Sequence, residues 1–124
     1  MDKIRRLPES ELEVMQIVWD NTPPVSRATV EKALNRSHRL APTTILTLLT
    51  RLCDKGFLSI EKKGRANYYT PRISRREYRA SESRNILDRL YGGSLAAFTA
   101  ALCDSGISEE ELEQLHDLLE RNKL

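Results

Sequence analysis

Two groups of side chains carry most of the chemistry this sequence offers. Thr43, Thr44 and Thr47 fall early in a segment whose apolar residues, Ile45, Leu48, Leu49 and Leu52, repeat at i, i+3, i+4, i+7. At about 100° per residue, that spacing places Thr43, Thr47, Thr50, Arg51 and Asp54 on the opposite face of a helix. Hydroxyls there can hydrogen-bond to base edges in a nucleic-acid groove, and a threonine methyl can meet a thymine methyl. Leu46, at the margin of that face, offers a second thymine contact, and Arg51 suits a guanine or a phosphate. Shortly afterwards Lys62, Lys63 and Arg65 surround Gly64, more like charge than a turn needs. Such a tip suits phosphate, which supplies affinity and register without sequence information.

Pro42 begins the threonine segment without an N–H, and Ala41 before it has no capping oxygen. The amides of Thr43 and Thr44 are therefore expected to be free for an anion at the positive helix end. Taken alone, the threonines read as ordinary solvent-facing residues and the cations as a solvated turn. Their succession in thirty residues, Ala41 to Thr70, favours one nucleic-acid surface.

Catalytic chemistry has little support. The two histidines, His38 and His116, stand seventy-eight residues apart with no nucleophile–base pair, phosphate loop or metal-ligand spacing around them. Cys53 and Cys103 each lie beside apolar neighbours in an expected helix and read as small buried hydrophobes; a disulfide, a metal pair or a redox switch is the alternative. No catalytic residue, metal site or cofactor is expected.

The surrounding pattern supplies the elements that position these groups. A first helix is expected from about Pro8 to Asp20, with Leu12, Met15 and Trp19 as its core stripe and Ile17 and Val18 widening it. Asn21-Thr-Pro-Pro24 breaks it. Ser26 caps a second helix ending near Arg36, with Val25 and Val30 at the two positions of a hydrophobic staple. The third runs from Pro42 to Lys55-Gly56, a cation and a glycine where a helix stops. Phe57–Glu61 and Asn67–Thr70 alternate as strands around a turn at Lys62–Arg65. One of Tyr68 and Tyr69 should enter the core, while the other touches nucleic-acid backbone or covers the hairpin. Ser74 with Glu77, and Ser108 with Glu111, are capping boxes opening a long helix towards Tyr91 and a last helix; Ser94 caps a short one between them.

The 124 residues, 40% hydrophobic and 31% charged, fit a globular protein with one core or a small domain plus an appendage. No apolar run approaches the ~20 residues of a membrane helix. The opening MDKIRRLPESE lacks the apolar stretch of a signal peptide, so a cytoplasmic, non-membrane protein is expected. The net charge of +2 is unevenly spread. Residues 1–76 hold 15 Lys+Arg against 8 Asp+Glu, and residues 77–124 hold 5 against 10, giving +7 and −5. A basic front suits a polyanion, and an acidic back stays off it.

The fold expected is mainly α with a small β wing. An N-terminal winged helix-turn-helix, residues 1–72, precedes a C-terminal three-helix dimerisation domain, residues 73–124. The short helices of the second part carry apolar stripes they cannot bury alone: Ile86, Leu87, Leu90 and Tyr91, then Leu95, Phe98 and Leu102, then Leu115, Leu118 and Leu119, with Leu112 beside them. Packing against the winged helix is the alternative to a second copy, but Arg72-Ile-Ser74 reads as an extended joint. The nucleic-acid contacts are assigned to Pro42, Thr43, Thr44, Leu46, Thr47, Arg51, Lys62, Lys63 and Arg65. A winged helix used only to bind protein is the rival reading, and the basic wing argues against it.

The stretches Glu11-Leu-Glu-Val-Met-Gln-Ile-Val-Trp19, Pro42-Thr-Thr-Ile45 leading to Thr47, Arg51-Leu52, Lys55-Gly56, Gly64-Arg65, Tyr69-Thr-Pro71, Tyr91-Gly-Gly-Ser-Leu95 and Ser108-Glu-Glu-Glu-Leu112 resemble, in order and spacing, the BlaI/MecI family of penicillinase repressors, with CopY-type relatives. The resemblance implies a homodimeric transcriptional repressor of double-stranded DNA operators with inverted TACA/TGTA-like half-sites, controlling β-lactam or other stress-response genes. It also implies a regulatory protease or sensor protein that inactivates the repressor by cleavage in the penultimate helix. This chain has Ala101-Leu102 where the best-known members carry Asn-Phe, and Ala41 and Leu46 where the family often has serine and a polar residue. The cysteine-rich tail of the copper-responsive members is absent from the end, Glu-Arg-Asn-Lys-Leu124.

Overall fold

A computed structural model describes residues 4–122; the last two residues of that tail, Lys123 and Leu124, lie outside them. The elements run α1 (Glu9–Trp19), β1 (Val25–Ser26), α2 (Arg27–Ser37), α3 (Pro42–Asp54), β2 (Leu58–Lys63), β3 (Ala66–Pro71), α4 (Arg75–Tyr91), α5 (Leu95–Asp104) and α6 (Glu109–Arg121).

Pro8 precedes α1, and Glu9 and Glu11 lie in its first turn, where carboxylates meet the positive end of the helix dipole. The fully buried stripe is Glu11, Val14, Met15 and Val18. It shares only Met15 and Val18 with the stripe expected from sequence. Leu12, Ile17 and Trp19 flank it, half-buried against the same core. Trp19 has a reason to stay at the margin: its indole N–H donates to the Ile73 carbonyl at 2.9 Å, a partner an indole needs once buried.

Ser26 caps α2 by accepting the Thr29 amide at 3.1 Å, and Val25 and Val30 are both buried beneath it. Val25 and Ser26 also form β1, paired antiparallel with Tyr69 and Tyr68 of β3. This third strand is two residues long, too short for alternation to reveal it. The sheet order is β1-β3-β2. Ile45, Leu48, Leu49 and Leu52 of α3 are buried as their spacing requires, and Phe57, Leu58 and Tyr69 complete the same core.

The Leu58↔Pro71 to Lys63↔Ala66 register leaves Gly64-Arg65 as a two-residue turn. The hairpin is thus tighter than the four-residue turn expected, and Lys62 and Lys63 are strand residues. Gly64 makes this possible: its φ of +64° is one that residues with a side chain rarely adopt.

The chain forms two compact units, the first ending at Glu82 and the second beginning at Ser83. The first therefore runs ten residues past the 72/73 division read from the sequence. Tyr78 accounts for this. It is buried, its hydroxyl accepts the Leu7 amide at 2.9 Å, and its ring lies 5.8 Å from those of both Trp19 and Phe57. Arg75 adds a 2.6 Å ion pair to Asp20. The Arg72–Ser74 connection, expected to be an extended joint, is instead tied down by Arg72 N–H to the Phe57 carbonyl at 2.8 Å and by the Trp19 indole.

The second unit holds the rest of α4 with α5 and α6. Ser94 caps α5, and Ser108 with Glu111 forms the reciprocal capping box expected for α6. No residue of α5 or α6 is buried.

Candidate nucleic-acid interface

The α3 helix is held from behind by four buried aliphatic side chains, so its other face is free. Pro42, Thr43, Thr44, Leu46, Thr47, Thr50 and Arg51 are all exposed there. Ala41 caps nothing with its side chain, as expected, but its carbonyl accepts the amides of Thr44 at 2.9 Å and Ile45 at 3.1 Å. The Thr44 amide is therefore not free for an anion, contrary to the sequence reading. The tight first turn consumes it, and Thr43 keeps the only candidate amide of the two. The Thr47 hydroxyl donates to the Thr43 carbonyl at 2.9 Å. Its oxygen lone pairs and its methyl remain to meet a base edge.

The wing presents Lys62, Lys63 and Arg65, all exposed, beside Gly64. Lys63 Nζ lies 5.8 Å from the centre of the Tyr68 ring, a cation–π distance. Tyr69 is the tyrosine that enters the core, and half-buried Tyr68 covers the wing. Among the described residues no carboxylate is within ion-pair distance of Arg51, Lys62, Lys63 or Arg65. Three other cations of the unit are paired: Arg27 with Glu31, Lys55 with Glu11, Arg75 with Asp20. Uncompensated positive charge thus stands on α3 and the wing, where a polyanion can neutralise it.

Two further exposed cations without an ion pair among the described residues are Arg36, in the last turn of α2, and Arg39, in the turn between α2 and α3. Arg39 lines a shallow cleft with Glu31, Asn35, Leu40, Pro42 and Ile45, beside the start of α3. They join the candidate phosphate contacts. Their position at the end of α2 and within the turn that follows it was a signal available in the sequence.

Cys53, on α3, is half-buried, and burial, with Asp54 adding to it, pushes its thiol pKa up. That lowers the thiolate fraction and with it reactivity towards oxidants. His38 lies 3.6 Å from Glu13 and His116 3.8 Å from Asp117, each at the surface.

In the second unit, Ile86, Leu87, Tyr91, Leu102 and Leu115 are half-buried, while Leu90, Leu95, Phe98, Leu118 and Leu119 are exposed. Leu90 and Leu95 are 69% and 68% exposed. Phe98 stacks edge-on against Tyr91 at 5.4 Å, and with Ser83, Ile86, Leu87 and Leu95 it lines an apolar groove.

A helix-turn-helix with a cationic hairpin behind it defines a winged-helix protein. A sequence model of the family described as penicillinase repressor matches residues 7–121. The chain is 35% identical over 124 residues to the penicillinase repressor of Bacillus licheniformis, covering 99% of this chain and 96% of that one. It is 25% identical to the methicillin resistance regulatory protein MecI of Staphylococcus aureus, over 97% of this chain and 98% of the relative. Among solved structures it is similar to monomeric Bacillus licheniformis BlaI in complex with the blaP half-operator, with TM-score 0.53 and 38% identity over 63% of this chain and 94% of that one. The chain belongs to the penicillinase repressor family. It is a DNA-binding repressor and not an enzyme.

Proposed function

We propose that the chain is a homodimeric, sequence-specific repressor that places one α3 in each half of an inverted TACA/TGTA-like operator. The observation that carries this reading is the exposed threonine face of α3 beside uncompensated cations on the wing. Thr43, Thr44 and Thr47 read bases, with Leu46 at a thymine methyl and Arg51 at a guanine or phosphate. Lys62, Lys63, Arg65, Arg36 and Arg39 hold the backbone, and Pro42 starts the helix without an N–H at the DNA surface. The BlaI half-operator complex supports DNA as the partner of a closely similar domain.

Dimerisation is supported by α5 and α6, none of whose residues is fully buried and whose Leu95, Phe98, Leu118 and Leu119 are exposed. Two copies covering these apolar faces would bring two recognition helices to half-sites about one turn, ~34 Å, apart. The protein works in the cytoplasm, and no described helix is long and apolar enough to cross a membrane. β-Lactam or other stress-response genes are its proposed targets. A sensor or protease partner acts at a site other than an Asn-Phe bond, since Ala101-Leu102 stands there.

Mapping the bound sites across the protein's own genome tests the proposal. Inverted repeats of one half-site, placed over promoters, are the expected result. Sites sharing no repeat would overturn it.

A further inference from the structure

Glu11 is the one charged side chain buried in the described core, at 3% exposure. Its carboxylate accepts a 2.5 Å hydrogen bond from Lys55 Nζ, forty-four residues further on, and Lys55 itself is only 21% exposed. Glu11 belongs to the first turn of α1, and Lys55 is the residue that ends α3. The pair therefore joins the positive end of one helix dipole to the negative end of another, the arrangement each charge prefers.

Such a pair is a poor way to gain stability. Two charges lose their hydration, and well-packed apolar residues of similar size commonly hold a core as well or better. An ion pair does something that apolar packing does less well: it fixes one point on α3 against one point on α1. The buried leucines of α3 pack closely but without direction, whereas a charged hydrogen bond specifies both a distance and an angle.

Lys55 is rigidly continuous with the helix it ends. Its own amide donates to the Arg51 carbonyl at 3.0 Å, Gly56 to Cys53 at 3.0 Å, and Phe57 to Leu52 at 2.9 Å. Anchoring Lys55 therefore anchors Thr43, Thr47 and Arg51 along the same helix. Base contacts tolerate displacements of only about 0.5 Å, whereas long cations reaching for phosphate tolerate more.

Resting on the operator reading above, we propose that Glu11 and Lys55 are a positioning pair that sets the pose of α3 and so the preference for operator over random DNA, without touching DNA. Glu11→Met and the double variant Glu11→Met/Lys55→Met test it in the full chain. Both are titrated with a palindromic TACA/TGTA duplex and a scrambled duplex across a salt series, and their thermal unfolding is followed. Both variants should lose about tenfold in operator-over-random preference, with random-duplex affinity and salt slope unchanged. The double variant should unfold at or above the wild-type temperature and still lack the preference.

Preserved preference in both variants would overturn the positioning role. So would loss confined to the double variant, equal on both duplexes and with a salt slope flatter by about one, which is the signature of Lys55 on a phosphate. Wild-type binding that did not distinguish the duplexes would overturn the operator reading and the positioning role with it.

Discussion

The Thr47 hydroxyl donates to the Thr43 carbonyl, 2.9 Å away and one turn back on α3. Its proton is thereby engaged, so a base meets an acceptor oxygen and a methyl. Thr47→Ala removes both and should relax sequence preference at one base pair of each half-site by about 1–3 kcal/mol. Thr47→Val keeps the methyl alone. Retention of preference by the valine variant would assign the reading to a thymine methyl, and its loss would assign it to the oxygen. Competition binding against duplexes changed at single positions measures both.

Arg65, at the wing turn without an ion-pair partner among the described residues, should behave differently. Arg65→Ala is expected to weaken operator and random duplex alike and to flatten the salt dependence by about one. Affinities measured at four or five salt concentrations check this. An effect confined to the operator would place Arg65 on a base.

The apolar faces of α5 and α6 predict self-association. Leu118→Asp, at an exposed leucine of α6, should raise the dimer dissociation constant about a hundredfold. Sedimentation at micromolar concentration would then show a monomer, and the advantage of a palindrome over a single half-site would disappear. Unchanged sedimentation would move the interface elsewhere.

Tyr78 ties the start of α4 into the first unit through its hydroxyl. Tyr78→Phe leaves the buried Leu7 amide without its acceptor and should cost about 1–3 kcal/mol. Denaturant unfolding of the full chain measures it. A neutral effect would show that α4 adds little to the winged-helix core.

The capping box of α6 predicts an acid response. The Ser108 amide donates to the Glu111 carboxylate at 3.0 Å, and this bond first, with the adjacent Ser108 side chain adding to it, holds the carboxyl pKa below the usual value. The folded pKa lies below the unfolded one, so this contribution is complete above the ordinary glutamate range. It is lost as pH falls through the lowered pKa. Glu77 behaves likewise at Ser74. Helicity followed by circular dichroism from pH 7 to pH 3 should fall, and Glu111→Gln should remove part of that dependence. An identical acid profile for the variant would contradict it.

Much of this protein is legible where local chemistry decides. Ile45, Leu48, Leu49 and Leu52 announce their helix by period, Ser26, Ser94 and Ser108 announce three caps, and Gly56 and Gly64 stop a helix and turn a hairpin. The resemblance to the penicillinase repressors is written in those same landmarks. What escaped the sequence depends on partners distant in the chain. Nothing near Glu11 says that a lysine forty-four residues on will let a carboxylate enter the core. Two residues, Val25 and Ser26, are too few to show a strand until Tyr68 and Tyr69 pair with them. The helical start at Ser74 was readable, but the burial of Tyr78 against Trp19 and Phe57 was not.

The central claim is that the threonine face of α3 reads a sequence while the wing supplies affinity. Its most direct test is a fluorescence anisotropy titration with the intact protein at physiological salt. A palindromic TACA/TGTA duplex and a scrambled duplex of equal length and composition are compared. Binding to the palindrome about a thousandfold or more tighter, with two chains per duplex, is the predicted result. Equal affinity for the two duplexes would contradict the claim.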